Sequence, residues 1–203
     1  MSRDVFPEGM RTVVHVSYAC GREHVSPKSL GLDYVDLYLM HWPAAMNPNG
    51  PDPGFPQNPD GITDIQQGRS YIETHLDMEK LLHTGKVKAV GVANCSVKFL
   101  EDLLPRASVV PAVNQIENHP QLPQYDVEDF CASKGIHLTA YSPLGSSGGP
   151  LMSLPTVQNI AAKHGVSAAS VPLSYHSTRA WAFRFRKINS SISDRGEPPI
   201  RSA

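Results

Sequence analysis

The sequence predicts an α/β fold in which parallel strands alternate with crossover helices. Three observations support this prediction: strand-like apolar runs alternate with segments of helical period, each run ends near a polar residue, and glycines follow the helices. One polar side chain at the carboxyl end of each successive strand is how a (β/α) barrel builds its active site. We therefore expect part of such a barrel.

Four strand-like runs carry polar side chains at or near their carboxyl ends. The runs and their polar residues are 34–40 with His41, 87–92 with Asn94, 112–116 with Gln115, and 136–140 with Tyr141. Residues 11–16 form a weaker candidate for a fifth strand. Because the carboxyl ends of parallel strands meet at one edge of a sheet, the four polar groups are expected to converge there.

The intervening helices show apolar residues at i, i+3 and i+4, which places them on one face. These sets are Met78/Leu81/Leu82, Leu100/Leu103/Leu104, Val127/Phe130/Cys131 and Val157/Ile160/Ala161. Gly85, Gly135 and Gly165 suit left-handed helix caps. A last helix is expected after Ser167 as N-cap, kinked or shortened because Pro172 lies inside it.

Four ordered motifs resemble the aldo-keto reductase family. They are LDYVDLYLMHWP at 32–43, MEKLL at 78–82 with GKVKAVGVAN at 85–94, VNQIE at 113–117, and AYSPLG at 140–145. The segment 46–61 further resembles the long loop of fungal members that act on glycerol, glyceraldehyde and related small carbonyls. The resemblance implies an incomplete TIM (β/α)₈ barrel holding roughly the fourth to seventh strand–helix units.

The resemblance also implies a role for each polar residue at the strand ends. His41 would orient a carbonyl as the catalytic histidine, and Trp42 would line the substrate pocket. Asn94 and Gln115 would bind the nicotinamide carboxamide of NADP(H), on whose ring Tyr141 would stack. Without the flanking motifs, a structural histidine and a half-buried core tyrosine are the plainer interpretations.

The loop at 142–146 is the remaining part of the implied cofactor site. Ser142, Leu144 and Ser146 would cover the cofactor pyrophosphate, with backbone N–H groups as donors. Taken alone, this segment is equally compatible with a plain glycine-rich turn. The residue before Asn94 is Ala93 where many family members have serine, so one hydrogen bond to the carboxamide is expected to be lost.

The sequence departs from the family at both ends of the matching region. Of the family's Asp, Tyr, Lys and His tetrad, only His41 has a counterpart, and no segment after Tyr175 matches the one that grips the 2′-phosphate. We therefore expect NADP(H) to bind weakly or not at all and the chain as given to be inactive. The alternatives are a pseudoenzyme with a partial nicotinamide pocket and a non-functional truncated fragment, so its standing as an enzyme stays open.

The composition limits the classes of partner that we expect for this chain. Charged residues make up 18%, hydrophobic residues 40%, and the formal net charge is −1, so no general attraction to nucleic acid or membrane is expected. No secretory leader or membrane span is apparent, and three cysteines without CxxC spacing suggest reduced thiols in a cytoplasmic protein. His75 and His83 lack a third ligand, so no metal site is predicted.

The predicted organisation has three parts. Residues 1–27 are expected to be irregular, 28–177 to form the partial barrel, and 178–203 to be a basic, disordered tail. The proline-rich loop at 47–68 is expected to contain no regular element and to lie over the mouth of the site. A small carbonyl or polyol is the expected substrate, and open sheet edges would favour non-specific self-association.

Overall fold

Six parallel strands and five α-helices make up the structure, a computed structural model that describes residues 13–16, 32–47, 56–146, 148–177 and 182–183. The elements in chain order are β1 (Val13–Val16), β2 (Val35–Met40), α1 (Tyr71–Leu81), β3 (Val87–Ala93), α2 (Val97–Leu103), β4 (Val113–Glu117), α3 (Tyr125–Lys134), β5 (His137–Tyr141), α4 (Pro155–His164), α5 (Ser170–Ser177) and β6 (Ala182–Phe183). The strands lie in the order β1 to β6, and every neighbouring pair is parallel. The predicted parallel α/β architecture is therefore confirmed.

The two outer strands lie in segments that were expected to be irregular. β1 falls within 1–27, where the sequence offered a weaker strand candidate, and it pairs with β2. β6 falls within 178–203 and pairs with β5, so the expectation of a disordered tail is wrong at Ala182 and Phe183. A two-residue strand has too short an alternation to be read from the sequence. The remainder of both segments lies outside the described residues.

The helices begin and end largely where local chemistry predicts. Ser70 forms a capping box with Glu73 at the start of α1. Gly135 and Gly165 cap α3 and α4 in the left-handed conformation, with φ of 71° and 63°. Leu82–Thr84 forms a 3-10 turn that ends at Gly85, where φ is 71°. All three predicted glycine caps are confirmed.

Two details of the predicted helices are wrong. Ile160, assigned to the apolar face of α4, is 40% exposed. α5 begins at Ser170 rather than directly after Ser167, whose hydroxyl accepts a hydrogen bond from the Ser170 N–H over 3.2 Å. This later start places Pro172 in the first turn, where the missing N–H breaks no helical hydrogen bond. The helix is thus shortened, as one of the two expected outcomes.

The sheet has apolar side chains on both faces. The larger cluster packs the helices against one face and includes Val90, Val92, Leu100 and Leu103. The opposite face carries Leu37, Leu39 and Val113, with Ala89 and Ala112 packed against them. Gly91 of β3 lies between these residues, and a Cβ there would meet Leu39 Cδ2 at 2.6 Å and the Val113 carbonyl oxygen at 2.8 Å. The space beside this position of β3 therefore admits only glycine without a shift of its neighbours.

A buried carboxylate attaches α1 to the segment before β4. Glu79 Oε1 accepts hydrogen bonds from the backbone N–H groups of Ser108 at 3.0 Å and Val109 at 3.1 Å. His75, one turn earlier, is fully buried, and its Nε2 lies 3.5 Å from Glu79 Oε1. Burial lowers the pKa of His75, an effect that the Glu79 carboxylate partly offsets. The imidazole is therefore neutral at pH 7.

The proline-rich loop leaves the carboxyl end of β2 and returns to α1. Its described part contains only two isolated antiparallel bridges, Met46 with Ile65 and Gln57 with Thr63. Asn47 donates its backbone N–H to the Asp64 carbonyl over 2.9 Å. The prediction that this loop contains no regular element is confirmed for its described residues, and the bridges fold it back on itself beside the strand end that carries His41.

Candidate active site

Two hydrogen bonds through one amide connect three strand ends at the carboxyl edge of the sheet. Asn94 Nδ2 donates to the backbone carbonyl of His41 over 2.8 Å, and Tyr141 Oη donates to Asn94 Oδ1 over 2.8 Å. His41 follows β2, Asn94 follows β3, and Tyr141 ends β5. These bonds bring the side chains of Asn94 and Tyr141 together with the backbone carbonyl of His41 at this edge.

The backbone at Asn94 turns the side chain into this position. Its φ is 58°, in the left-handed region that asparagine tolerates better than most residues. Its backbone N–H donates to the Gln115 carbonyl over 2.9 Å, which extends the pairing of β3 with β4 by one residue. The amide side chain can consequently face the ends of β2 and β5 at the same time.

Gln115 lies in the row of side chains just inside this edge. The registers pair Ala93 with Gln115 and Gln115 with Thr139 on neighbouring strands. Gln115 and Thr139 are both 4% exposed, and Ala93 is 1% exposed. Because residues i and i+2 of a strand face the same side, Thr139 lies on the same face as Tyr141. Gln115 is thus a buried amide beneath the strand ends.

Tyr141 is held as a neutral phenol. Burial raises the pKa of Tyr141, and the nearby Glu117 carboxylate, its register partner on β4, raises that pKa further. A phenol that keeps its proton at neutral pH can donate to Asn94 Oδ1. Glu117 also lies 3.4 Å from His119 Nε2.

His41 and Trp42 lie next to each other beyond the end of β2. Their ring centroids are 6.0 Å apart at an interplanar angle of 43°. His41 is half-buried, and Trp42 is 36% exposed. Trp42 is thus available to a molecule that approaches His41, which is compatible with the predicted role in a substrate pocket.

The loop after β5 departs from ordinary backbone conformation twice. Ser142 has a φ of 50° and Ser146 a φ of 62°, and the Gly145 N–H donates to the Ser142 carbonyl over 2.8 Å. Ser142 and Leu144 are half-buried, whereas Ser146 is exposed. The segment therefore leaves Tyr141 in a tight turn, which is compatible with close backbone approach to a ligand.

The amide of Asn94 has the capacity to bind a carboxamide in addition to its present partners. An asparagine side chain offers two N–H donors and two acceptor lone pairs. One N–H bonds to the His41 carbonyl and one lone pair accepts from Tyr141, so one donor and one acceptor remain. A nicotinamide carboxamide needs that complementary pair. The donor set at this edge fits the group that the resemblance implies.

Thr139 was not singled out from the sequence, where residues 136–140 read as an apolar strand. A signal was nevertheless present, because Thr139 lies two residues before Tyr141 and strand side chains alternate with a period of two.

Within the described part of the chain, no three His, Cys, Asp or Glu side chains are grouped as a metal ion would need. None of the described helices is long and apolar enough to cross a membrane.

Comparison with known proteins gives matches over most of the chain. A family model described as "Aldo/keto reductase family" matches residues 21–194. D-galacturonate reductase of Hypocrea jecorina is 56% identical over 154 residues, which cover 76% of this chain and 50% of that protein. Glycerol 2-dehydrogenase (NADP(+)) of Saccharomyces cerevisiae is 44% identical over 171 residues, covering 81% and 55%. Both relatives are fungal, as the loop resemblance predicted.

Solved structures agree with these matches. The aldose reductase from Giardia lamblia superposes with a TM-score of 0.72 at 35% identity, covering 77% of this chain and 53% of that one. The aldose reductase from Schistosoma japonicum gives a TM-score of 0.68 at 34% identity. The chain spans about half the length of the curated relatives it matches.

Proposed function

Because this chain belongs to the aldo/keto reductase family, we propose that it supplies the carbonyl-orienting and nicotinamide-binding part of an NADP(H)-dependent reductase site. The substrates are small aldehydes or ketones, which are reduced to alcohols or polyols. The observation that carries the proposal is the hydrogen-bonded connection from His41 through Asn94 to Tyr141. This connection joins the ends of three strands at one sheet edge, which supports a shared site for the three residues.

Each residue has a distinct task in this proposal. The bound cofactor supplies a hydride. His41, at the end of β2, donates a hydrogen bond to the carbonyl oxygen and stabilises the negative charge that grows there. Asn94 and Gln115 hold the carboxamide with paired donors and acceptors. Tyr141 offers its ring face, and Trp42 limits the size of the molecule that reaches His41.

We further propose that the 203 residues alone do not turn over substrate. A positioned proton donor typically contributes ~10²–10⁴-fold to rate, and only His41 of the family tetrad has a counterpart here. The test measures NADPH oxidation by the purified chain with glyceraldehyde, alongside His41→Ala. Robust oxidation that His41→Ala abolishes would refute this statement and show a complete site.

The cofactor is expected to bind weakly and with little preference between NADPH and NADH. A cationic side chain facing the 2′-phosphate is the stronger, charge-assisted contact, and no segment of this sequence matches the one that provides it in the family. Calorimetric titration with both cofactors tests this expectation. Tight binding with a clear NADPH preference would indicate that Arg184, Arg186 or Lys187, which lie outside the described residues, supply the missing charge.

Variants of Asn94 connect that titration to the site. Asn94→Ala removes the donor and the acceptor that the Asn94 amide still offers to a carboxamide, so NADPH binding should weaken at least several-fold. The matched control is Asn159→Ala, an exposed asparagine on α4. Equal binding by the two variants would mean that the nicotinamide does not bind at this edge.

A pseudoenzyme is the second candidate function. It is favoured by the same contrast that predicts inactivity, namely that the nicotinamide-facing residues are present while most of the tetrad has no counterpart. A full-length transcript that adds the strands with the Asp, Tyr and Lys of the tetrad would favour the reductase, whereas Asn94-dependent NADPH binding by a chain that no transcript extends would support this second function. Absence of both the extended transcript and NADPH binding would favour a non-functional fragment.

A further inference from the structure

A buried hydroxyl group lies in the row of side chains beneath the proposed nicotinamide site. Thr139 is 4% exposed, and within the described part of the chain its Oγ1 has no hydrogen-bond partner. A buried polar group that forms no hydrogen bond loses the solvation it had in water, so such groups call for a specific explanation. Thr139 carries none of the roles proposed above.

The neighbours of Thr139 suggest what its hydroxyl can bind. Across β3, β4 and β5 the registers give the row Ala93, Gln115, Thr139, and adjacent strands are about 4.7–4.9 Å apart. Ala93 has no polar side-chain atom, so it cannot orient the Gln115 amide. Thr139 is on the other side of Gln115 and on the same face, which brings a hydroxyl within reach of that amide.

A rotation of the Gln115 amide is enough to form a hydrogen bond with the Thr139 hydroxyl. The terminal torsion of glutamine is broad and roughly two-fold, so its amide turns without a change of backbone. A threonine hydroxyl both donates and accepts, and it can therefore bind either end of the amide. Once one end is bound, the other end is directed away from Thr139.

We propose that Thr139 is a positioning residue whose hydroxyl hydrogen-bonds to one end of the Gln115 amide and thereby holds the other end toward the nicotinamide carboxamide. Its effect on the cofactor rests on the proposed function, whereas the bond between the two side chains does not. Thr139 touches no reacting atom, so its influence passes through Gln115.

The first experiment measures the bond without a cofactor. A double-mutant cycle combines Thr139→Val with Gln115→Leu and follows the unfolding equilibrium constant in urea. The two changes should be non-additive by roughly two- to tenfold. Thr74→Val is the matched control, because Thr74 is 6% exposed and donates to the Ser70 carbonyl over 3.3 Å on distant α1. It should be additive with Gln115→Leu.

Three results would decide this part. Additivity of Thr139→Val with Gln115→Leu would overturn the bond. Recovery of the coupling by Thr139→Ser would support it, since serine keeps the hydroxyl. If the double variant does not fold, the side-chain amide resonances of Gln115 provide a second measurement: they should shift in Thr139→Val and stay in place in Thr74→Val, and no shift would contradict the proposal.

The second experiment measures the consequence for the cofactor. Thr139→Val should raise the Kd for NADPH by roughly three- to tenfold, Thr139→Ser should restore it, and Thr74→Val should leave it unchanged. Equal weakening of NADPH binding by Thr139→Val and Thr74→Val would indicate general distortion and overturn positioning. If the unmodified chain does not bind NADPH, the proposed function fails together with the cofactor part of this inference, while the cycle decides the side-chain bond separately.

Discussion

Replacing Asn94 by glycine and by alanine separates the two contributions of this residue to stability. Its side chain makes two hydrogen bonds of 2.8 Å, each worth about 0.5–1.5 kcal/mol net, so Asn94→Gly should cost about 1–3 kcal/mol. Asn94→Ala loses the same bonds and also places a Cβ without a compensating polar group at a φ of 58°, which adds about 1 kcal/mol. Alanine should therefore be the more destabilising substitution.

The assay is urea unfolding of both variants, with Asn159→Ala as the surface control. Glycine makes the unfolded chain more flexible, and this offsets part of the difference in stability between the glycine and alanine variants. The test is therefore which variant is less stable, rather than the size of the difference. If alanine were as stable as glycine or more stable, the left-handed backbone at Asn94 would not be a source of strain. If both variants matched the control, the hydrogen-bonded connection would contribute nothing to the fold.

Three further predictions concern the core. Gly91→Ala should lower the free energy of unfolding by about 1–3 kcal/mol, because the added Cβ would overlap with Leu39 and the Val113 carbonyl oxygen. An unchanged unfolding midpoint in urea would contradict that packing. Burial raises the pKa of Cys95 to about 12 and that of Cys131 to about 11. In a variant without Cys20, neither thiol should therefore react with DTNB at pH 8 until the chain unfolds. Rapid reaction of the folded chain would refute this prediction. Burial lowers the pKa of His75 below its ordinary 6.5, so the unfolded chain binds a proton at this residue more readily than the folded chain does. As the pH drops below 6.5, the free energy of unfolding should therefore fall, by at most about 1.4 kcal/mol per pH unit. His75→Leu should remove that slope and exposed His83→Leu should not.

The fold was predictable where a long local pattern specified it. The strands that end near His41, Asn94, Gln115 and Tyr141 are long enough for their apolar runs to be recognised, and the structure pairs them in parallel. β6 was not predictable, because two residues carry no measurable alternation and the strand exists only through pairing with β5. Tertiary pairing, rather than local propensity, determines such short edges.

The sequence allowed us to predict which strand ends carry the candidate site residues, but not the hydrogen bonds between those residues. Sequence motifs identified Asn94 and Tyr141, but nothing in them indicated that these two side chains bond to each other across β4. That contact depends on the left-handed φ at Asn94 and on the register of three strands, which are both tertiary properties. Thr139 was overlooked for a related reason, since the significance of a hydroxyl inside an apolar run becomes visible only when its neighbours across the sheet are known.

Glycine carries the left-handed backbone at the amino edge of the sheet, whereas both glycine and other residues carry it at the carboxyl edge. At the amino edge, Gly85 and Gly135 turn helices into β3 and β5 at φ of 71°, where glycine carries no steric cost. At the carboxyl edge, Asn94, Ser142 and Ser146 adopt φ of 58°, 50° and 62° despite having side chains. A turn that needed only its backbone shape would be served better by glycine. At Asn94 the side chain that glycine lacks makes both hydrogen bonds of the connection between strand ends, so the strained backbone is retained for the polar group that it positions.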